Sequence, residues 1–159
     1  MTIYLKYEGI DGDVTSNGFE KFIEVHSAQL GVGRGISSTH GRGEGVREAS
    51  IPSISELVVT KTFDRSSSLL IQQALKGPLD KKVELHFVRT QGGKAEAYLV
   101  YKFEQCAVSG YSLSSGGDRP SESISINFAK FETKNIEVKD KLTAAGGVIS
   151  YDLRAAKGA

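Results

Sequence analysis

The chain of 159 residues has no tryptophan, one methionine, three prolines and one cysteine. The single cysteine, Cys106, excludes an intramolecular disulfide and any metal cluster built from cysteines alone. Because Cys106 falls within a strand pattern, we expect it to be a small buried side chain and not a reactive thiol.

Long apolar runs and a net charge are missing too. No stretch approaches the ~20 apolar residues of a membrane helix, and the first residues, MTIYLKYEGID, lack the basic and apolar regions of a secretory signal. Twenty Lys and Arg nearly balance nineteen Asp and Glu, which gives a formal net charge of +1. Such a balance does not attract nucleic acid or anionic lipid. We therefore expect neither nucleic-acid binding nor membrane insertion.

The sequence also lacks the patterns that carry catalysis or metal binding. Asp11 and Asp13 resemble the start of a calcium loop, but its twelfth position is Phe22, where a bidentate acid is required. No G-x-S-x-G motif marks a serine nucleophile. The three histidines do not have metal-ligand spacing: His26, His40 and His86. The sequence predicts no enzyme, no catalytic residue, no cofactor and no metal.

Glycine, by contrast, is abundant, with 18 residues in the chain. Six of them lie in the tract GVGRGISSTHGRGEG, residues 31–45. This tract matches neither the dinucleotide-binding pattern nor the P-loop pattern, so phosphate binding is not indicated. We predict a long flexible loop over residues 31–53 that reaches beyond its own domain, because loops of this length are usually functional or disordered.

The most regular alternation lies in residues 123–129. The even positions are Ile, Ile and Phe, which predicts a strand with one face on an apolar core. The opposite face is small, neutral and hydrophilic, and consists of Ser123, Ser125, Asn127 and Ala129. Such a face suits either a water-filled channel or an outer solvent surface.

Similar patterns predict strands over residues 3–7, 19–30, 57–63, 82–89, 97–108 and 148–154. The apolar positions change parity between Phe103 and Cys106, which predicts a β-bulge. Residues 65–76 predict a helix that Asp64 or Ser66 caps. Its apolar stripe is expected to pack against the outside or mouth of a barrel, with binding to a partner as the alternative, and consists of Leu70, Ile71, Ala74 and Leu75. The fold class is mainly β, either a barrel or a sandwich of antiparallel sheets, with one flanking helix.

Three blocks carry a resemblance to a known family. They are ISELVVTKTFDRSSSLLIQQALKG (54–77), LHFVRTQGGKAEAYLVYKFEQCAVSGYSLSSGG (85–117) and DRPSESISINFAKFE (118–132), and the ending SYDLR (150–154) agrees with them. Within the third block, Glu122 and the Asn-Phe-Ala triplet are characteristic. The chain resembles the haemolysin-coregulated protein (Hcp) family, the tube-forming component of bacterial type VI secretion systems.

The resemblance implies a single domain, residues 1–159, that forms a β-barrel of two packed antiparallel sheets. It implies hexameric rings that stack into a hollow tube, which a contractile sheath expels behind a spike protein. Small effector proteins travel in the lumen of such tubes. The expected location is the cytoplasm of the producing bacterium, and then the exterior or a target cell, reached without a signal peptide.

Two groups of residues are candidates for these roles. We expect the glycine tract to make subunit or ring-stacking contacts through Gly31, Gly33, Arg34, Gly35, Arg42, Glu44 and Arg47. The candidates for facing the lumen or a cargo are Gln29, Ser123, Ser125 and Asn127. The alternative function is a β-sandwich module that binds carbohydrate or peptide through exposed aromatic side chains, for which Tyr4, Tyr98 and Tyr111 are available.

Overall fold

The computed structural model describes residues 1–38, 47–136 and 148–158. This part of the chain contains one helix, α1 (Ser67–Lys76), and fourteen strands. The strands are β1 (Thr2–Tyr7), β2 (Ile23–Val25), β3 (Ser27–Gln29), β4 (Val32–Gly33), β5 (Ile36–Ser38), β6 (Arg47–Ala49), β7 (Ser53–Ile54), β8 (Leu57–Thr62), β9 (Lys81–Gln91), β10 (Lys94–Ser114), β11 (Ser121–Asn127), β12 (Lys130–Asn135), β13 (Val148–Asp152) and β14 (Lys157–Gly158).

Two antiparallel sheets enclose the core. We name the first one sheet A; its strand order is β2-β1-β9-β10-β12-β13-β14. Sheet B has the order β10-β11-β8-β3. Strand β10 belongs to both sheets, because its first part pairs with β9 and β12 and its last part pairs with β11.

Strand β10 changes sheets through irregular pairing. Its register shifts between Phe103 and Cys106, as the change of parity predicts, and it shifts again between Val108 and Gly110. Gln105, within the first shift, has a positive φ of 54°. A bulge bends the strand and increases its twist, so β10 is able to leave one sheet and join the other.

The second connection between the sheets lies in residues 19–30, where the prediction of one continuous strand is wrong. Residues 19–22 form a turn in which Lys21 has a φ of 67°. The chain then forms β2 in sheet A, bends at His26, and forms β3 in sheet B. The N–H of His26 donates to the carbonyl of Thr60 at 2.7 Å, which holds the bend against β8.

The core lies between the two sheets and is formed by the inward-facing apolar residues of their strands. Ile124 and Ile126 are completely buried and Phe128 is 6% exposed, so the alternation predicted for residues 123–129 is confirmed. Full burial of one such side chain contributes about 1.5–3 kcal/mol to folding. Cys106 is buried among them, as expected.

The predicted helix is confirmed in position but begins two residues later. Gly77 ends the helix, and its N–H donates to the carbonyl of Gln73 at 3.0 Å. The apolar stripe is narrower than predicted, because Leu70 is buried whereas Leu75 is 81% exposed. The helix therefore rests on the body through only part of that stripe.

The mainly β class, the antiparallel sheets and the single helix are confirmed. Among the described residues, strand pairing does not complete a closed barrel. In the same part of the chain, no helix has the length and apolarity needed to span a membrane.

Candidate assembly interface

Residues 31–38 and 47–54 form two antiparallel, mutually paired segments, which we call the arm, where the sequence predicts a loop. Its described part pairs only with itself: β4 with β7, and β5 with β6. The strand register of the arm shifts at Ile51 and Pro52. Before the shift Gly33 pairs with Ser53, and beyond it the carbonyl of Gly35 accepts from the N–H of Ser50 at 2.8 Å. The predicted loop is thus an ordered two-stranded segment in its described residues.

Serines on the returning strand bond to the glycines of the outgoing strand. The N–H of Gly31 donates to Ser55 Oγ at 2.7 Å, and the N–H of Gly35 donates to Ser50 Oγ at 2.8 Å. A Cβ at either glycine would lie 3.2 Å from that serine Oγ, so glycine leaves room for the contact. Glycine at positions 31 and 35 therefore allows these hydrogen bonds between the two strands of the arm.

The side chains of the arm are mostly exposed. Val32, Ile36 and Ile51 are 63%, 53% and 73% exposed, and Arg34 and Arg47 are exposed beside them. Of the predicted contact residues, the structure brings these two arginines and the three glycines (Gly31, Gly33 and Gly35) together on one arm. Arg42 and Glu44 lie outside the described residues.

The outward surface of sheet B, which we call the hydroxyl face, has no charged side chain on its paired strands. Strand register places residues in rows across β10, β11, β8 and β3, and directly paired residues share a face. The rows are Ser114, Ser121 and Thr62; Ser112, Ser123, Thr60 and Ser27; and Gly110, Ser125, Val58 and Gln29. The predicted lumen candidates Gln29, Ser123 and Ser125 therefore belong to one surface.

Asn127 lies at the border of the hydroxyl face. Its Nδ2 donates to Glu56 Oε1 at 3.3 Å, and Ser109 Oγ donates to the other oxygen of the same carboxylate at 2.6 Å. The hydroxyl face therefore ends at the carboxylate of Glu56.

The outward surface of sheet A, which we call the charged face, carries Lys, Glu and Asp side chains where the hydroxyl face carries none. Its register gives two rows in which the sign of the charge alternates from strand to strand: Lys6, Glu84, Lys102 and Glu132; and Glu104, Lys130, Asp152 and Lys157. Opposite charges on neighbouring strands each contribute about 0.2–1 kcal/mol. The two faces carry different chemistry although β10 contributes to both.

A buried polar cluster lies beneath sheet B, where the sequence indicates only an interruption of the apolar face at Lys61. The side chains of Lys61 and Glu122 are completely buried. Lys61 Nζ donates to Glu122 Oε2 at 2.6 Å, to Asp64 Oδ1 at 2.9 Å and to Ser67 Oγ at 3.1 Å. Ser67 Oγ donates to Glu122 Oε2 at 2.8 Å, and Tyr111 donates to the other oxygen.

Every strong donor and acceptor of this cluster has a partner. Burial, and after it the hydrogen bond to Glu122, raises the pKa of Tyr111, which keeps the phenol protonated. Asp64 Oδ1 also accepts from the N–H of Ser66 at 2.9 Å, just before the helix, but neither predicted residue makes a side-chain capping bond to the helix. The cluster joins β8, β10 and β11 to the start of α1.

Two further buried groups have raised pKa values. Burial raises the pKa of Cys106 to about 12, and burial also raises the pKa of Tyr7 to about 12. Both groups are neutral near pH 7. The cysteine therefore lacks the thiolate that nucleophilic chemistry requires.

The tyrosines that a ligand-binding sandwich needs are dispersed. Tyr4 contacts Phe19, with ring centroids 5.2 Å apart, and Tyr98 lies 6.4 Å from Phe87. Tyr111 belongs to the buried cluster. Among the residues that the structure describes, no three metal-ligating side chains come together.

Comparison with known proteins identifies the family of this chain. The family described as "Type VI secretion system effector, Hcp" matches residues 4–134. No curated protein sequence matches. Among solved structures, "Structure of a type six secretion system protein" is 29% identical, covers 99% of both chains and has a TM-score of 0.83. Hcp1 from Salmonella typhimurium is 22% identical over 99% of this chain and 98% of its own, with a TM-score of 0.77.

A more distant match extends the fold beyond secretion systems. A chain of the anti-feeding prophage baseplate, in a six-fold symmetrised structure, is 9% identical over 86% of this chain and 93% of its own, with a TM-score of 0.63. The family match covers most of the chain, in agreement with the fold, and this protein belongs to the Hcp family of type VI secretion proteins.

Proposed function

We propose that copies of this type VI secretion tube protein join head to tail into a hexameric ring, and that the rings stack into a hollow tube. The arm carries this proposal, because it leaves the body as an exposed two-stranded hairpin. A hairpin of two strands is marginally stable in water unless a further surface packs against it. A neighbouring copy supplies such a surface, and a heterologous contact that closes gives cyclic symmetry.

The distant baseplate match supports the symmetry of this arrangement. That chain has a similar fold and comes from a six-fold symmetrised assembly. The open edges of the arm offer backbone groups to which a neighbouring strand can bond, which is a general mode of recognition between chains. Gly31, Gly33, Gly35, Arg34 and Arg47 are the described residues that make these contacts in our proposal.

The body acts in this proposal as a barrel-like wall, and residues 1–159 form one tube domain. The chain crosses between the sheets twice, along β10 and at the bend between β2 and β3. These two crossings bring the sheets together at both sides of the core. A continuous wall of this kind separates the lumen from the outside of a tube.

The hydroxyl face lines the lumen in our proposal. Hydroxyl groups bind water, and a surface without charge does not hold a passing protein of either sign. Gln29, Ser123, Ser125 and Asn127 therefore contact the water of the lumen and, with it, any small effector that travels there. The charged face is then available to the tube exterior or to neighbouring subunits.

The role is structural and not enzymatic in this proposal. The expected partners are further copies of the chain, the spike, the contractile sheath and small effector proteins. The tube is assembled in the cytoplasm and leaves the producing bacterium with the apparatus.

Two measurements test the proposal: the mass of the assembly and the reaction of introduced cysteines with maleimides of different size. Light scattering on the purified protein should give six times the mass of one chain, and electron microscopy should show tubes. Ser125→Cys, on the hydroxyl face, should react with a small maleimide in tubes but not with a maleimide that carries a large polymer. Lys102→Cys, on the charged face, is the matched control and should react with both.

A monomeric mass at high concentration would contradict the ring. Equal reaction of Ser125→Cys with both reagents in intact tubes would contradict the assignment of the lumen, and the ring would stand. A monomer that binds a glycan or a peptide would favour the ligand-binding sandwich instead.

A further inference from the structure

A cleft of about 180 Å³ opens between the two sheets at the root of the arm. It is lined by Ala28, Gln29, Leu30, Leu57, Leu85, Phe87, Leu99, Tyr101 and Phe103. Apart from Gln29 and the Tyr101 hydroxyl, this lining is apolar. An apolar cavity of about 150 Å³ accepts a molecule the size of benzene, so this cleft has room for an aliphatic side chain.

The arm carries aliphatic side chains of this kind with nothing in the described chain to cover them. Ile51 is 73% exposed and Ile36 is 53% exposed. Ile36 pairs with Ala49. Ile51 follows Ala49 by two residues and lies where the strand register shifts. Both isoleucines belong to the part of the arm beyond its root.

The arm does not fill the cleft of its own chain. Leu30 lines the cleft and Ile36 lies six residues further along an extended strand, so about 20 Å of chain separates them. To fold back, the arm would have to break the pairs between β4 and β7. Ile54, which packs on the core at the root, also holds the arm in place. None of the described arm residues lines the cleft.

We propose that the arm of one copy docks on the cleft of the next copy and packs Ile36 and Ile51 against its apolar lining. The proposal rests on the assembly described above and names the surface that receives the arm. Burial of these side chains gives the arm the apolar contact that an isolated hairpin lacks.

The position of the cleft makes the contact repeatable. Each cleft lies at the root of its own arm, since Leu30 lines the cleft and Gly31 begins the arm. An arm that docks in one copy therefore ends beside the arm that this copy extends to the next. The same contact repeats from copy to copy, which is the property that a heterologous assembly requires.

Disulfide mapping tests the contact directly. The double variant Gln29→Cys with Ile51→Cys places one thiol at the cleft and one on the arm, and the native Cys106 is buried. Within one chain these positions are about 15 Å apart along the arm, too far for a disulfide, whose Cα atoms lie within about 7 Å. Mild oxidation should therefore give a covalent ladder of joined chains. The control pair, Leu75→Cys with Ile51→Cys, should give none.

A second measurement tests how much Ile36 and Ile51 contribute to the stability of the assembly. Ile36→Ser with Ile51→Ser should raise the protein concentration at which half of the copies are assembled, by about tenfold or more for each isoleucine. Leu75→Ser, which removes an 81% exposed side chain from the helix, should leave that concentration unchanged. Circular dichroism should show the same secondary structure for all three proteins, because the altered side chains are exposed.

The outcomes separate this inference from the function on which it rests. A ladder together with weaker assembly of the serine variant supports the docking. A sixfold mass with no ladder, or with unchanged assembly of the serine variant, overturns the docking and leaves the ring. A wild-type protein that stays monomeric overturns both.

Discussion

The body and the arm of this protein are held in shape by different interactions. In the body, two sheets share a core in which Leu5, Leu57 and Ile124 have no exposed surface. In the arm, the pairs are backbone bonds and serine-to-glycine bonds, and its apolar side chains face water. Burial supplies most of the free energy of folding, so the body has the contacts of a stable fold, whereas the described arm leaves most of its apolar surface exposed within one chain.

The two sheets of the body show a second contrast. They share one core, but the charged face of sheet A alternates in sign and the hydroxyl face of sheet B is neutral. Core packing constrains only the inward residue of each strand pair. The outward residues are free to serve function, and they differ between the sheets.

Deletion of residues 33–45 gives the largest expected effect. Because these residues lie within the stretch of chain that carries the arm, we expect a folded protein that no longer forms tubes. Electron microscopy and light scattering measure the loss. Tubes of unchanged length after the deletion would remove the arm from the assembly contact.

Glu122→Ala tests the body. It leaves Lys61 buried without its closest partner, and removal of one member of a buried ion pair costs about 3–5 kcal/mol. Chemical denaturation should show this loss. Glu132→Ala, on the charged face, is the matched control and should lose less than about 1 kcal/mol.

The double variant Lys61→Met with Glu122→Met sharpens the same test. It removes both buried charges, so it should be more stable than Glu122→Ala alone. A double variant as unstable as the single one would mean that the hydrogen bonds to Ser67 and Tyr111, and not the unpaired charge, dominate the cost.

Cys106 reports on the integrity of the core. Burial raises its pKa to about 12, so native protein at pH 8.5 should not react with iodoacetamide, whereas Leu75→Cys should react at its new thiol. An unfolded thiol ionises near ~8.5. The contribution of Cys106 to stability is therefore complete below that pH and is lost as the pH rises from it toward 12. Rapid alkylation of the native protein would contradict a closed core.

Asp152 gives the smallest expected effect. The N–H groups of Arg154 and Ala155 donate to its carboxylate and hold its pKa below the ordinary value. Its contribution to stability is therefore present above the ordinary pKa of ~4 and is lost as the pH falls through the lowered value. A carboxyl NMR titration should find a midpoint below that of an unstructured aspartate, and Asp152→Asn should remove the dependence. A midpoint at or above the ordinary value would contradict this.

The sequence predicts the regular elements well because their signals are local. Period-two alternation places β8, β9 and β11, and a change of parity places the shift between Phe103 and Cys106. The errors lie where contacts across the chain override a local pattern. The turn at residues 19–22 is one case, since the prediction reads the aromatic residues there as part of a strand.

The arm and the buried cluster are the other cases. Glycine is disfavoured in strands, so residues 31–53 indicate a loop, and only the pairing with the serines on the returning strand makes a hairpin. The local pattern places Lys61 on the apolar face with Leu57 and Val59, but it does not show what neutralises the charge there. Lys61 is buried because Glu122, sixty-one residues away in sequence, lies directly opposite on β11.

What the sequence alone determines is the alternation of each strand, the helix, and the family to which the chain belongs, since these depend on residues near one another. The tertiary structure decides which outward residues share a face, how Lys61 is neutralised, and that a cleft lies at the root of the arm. Each of these depends on strand register between distant segments. Register is fixed by the packing of the whole core, and no short stretch of sequence contains it.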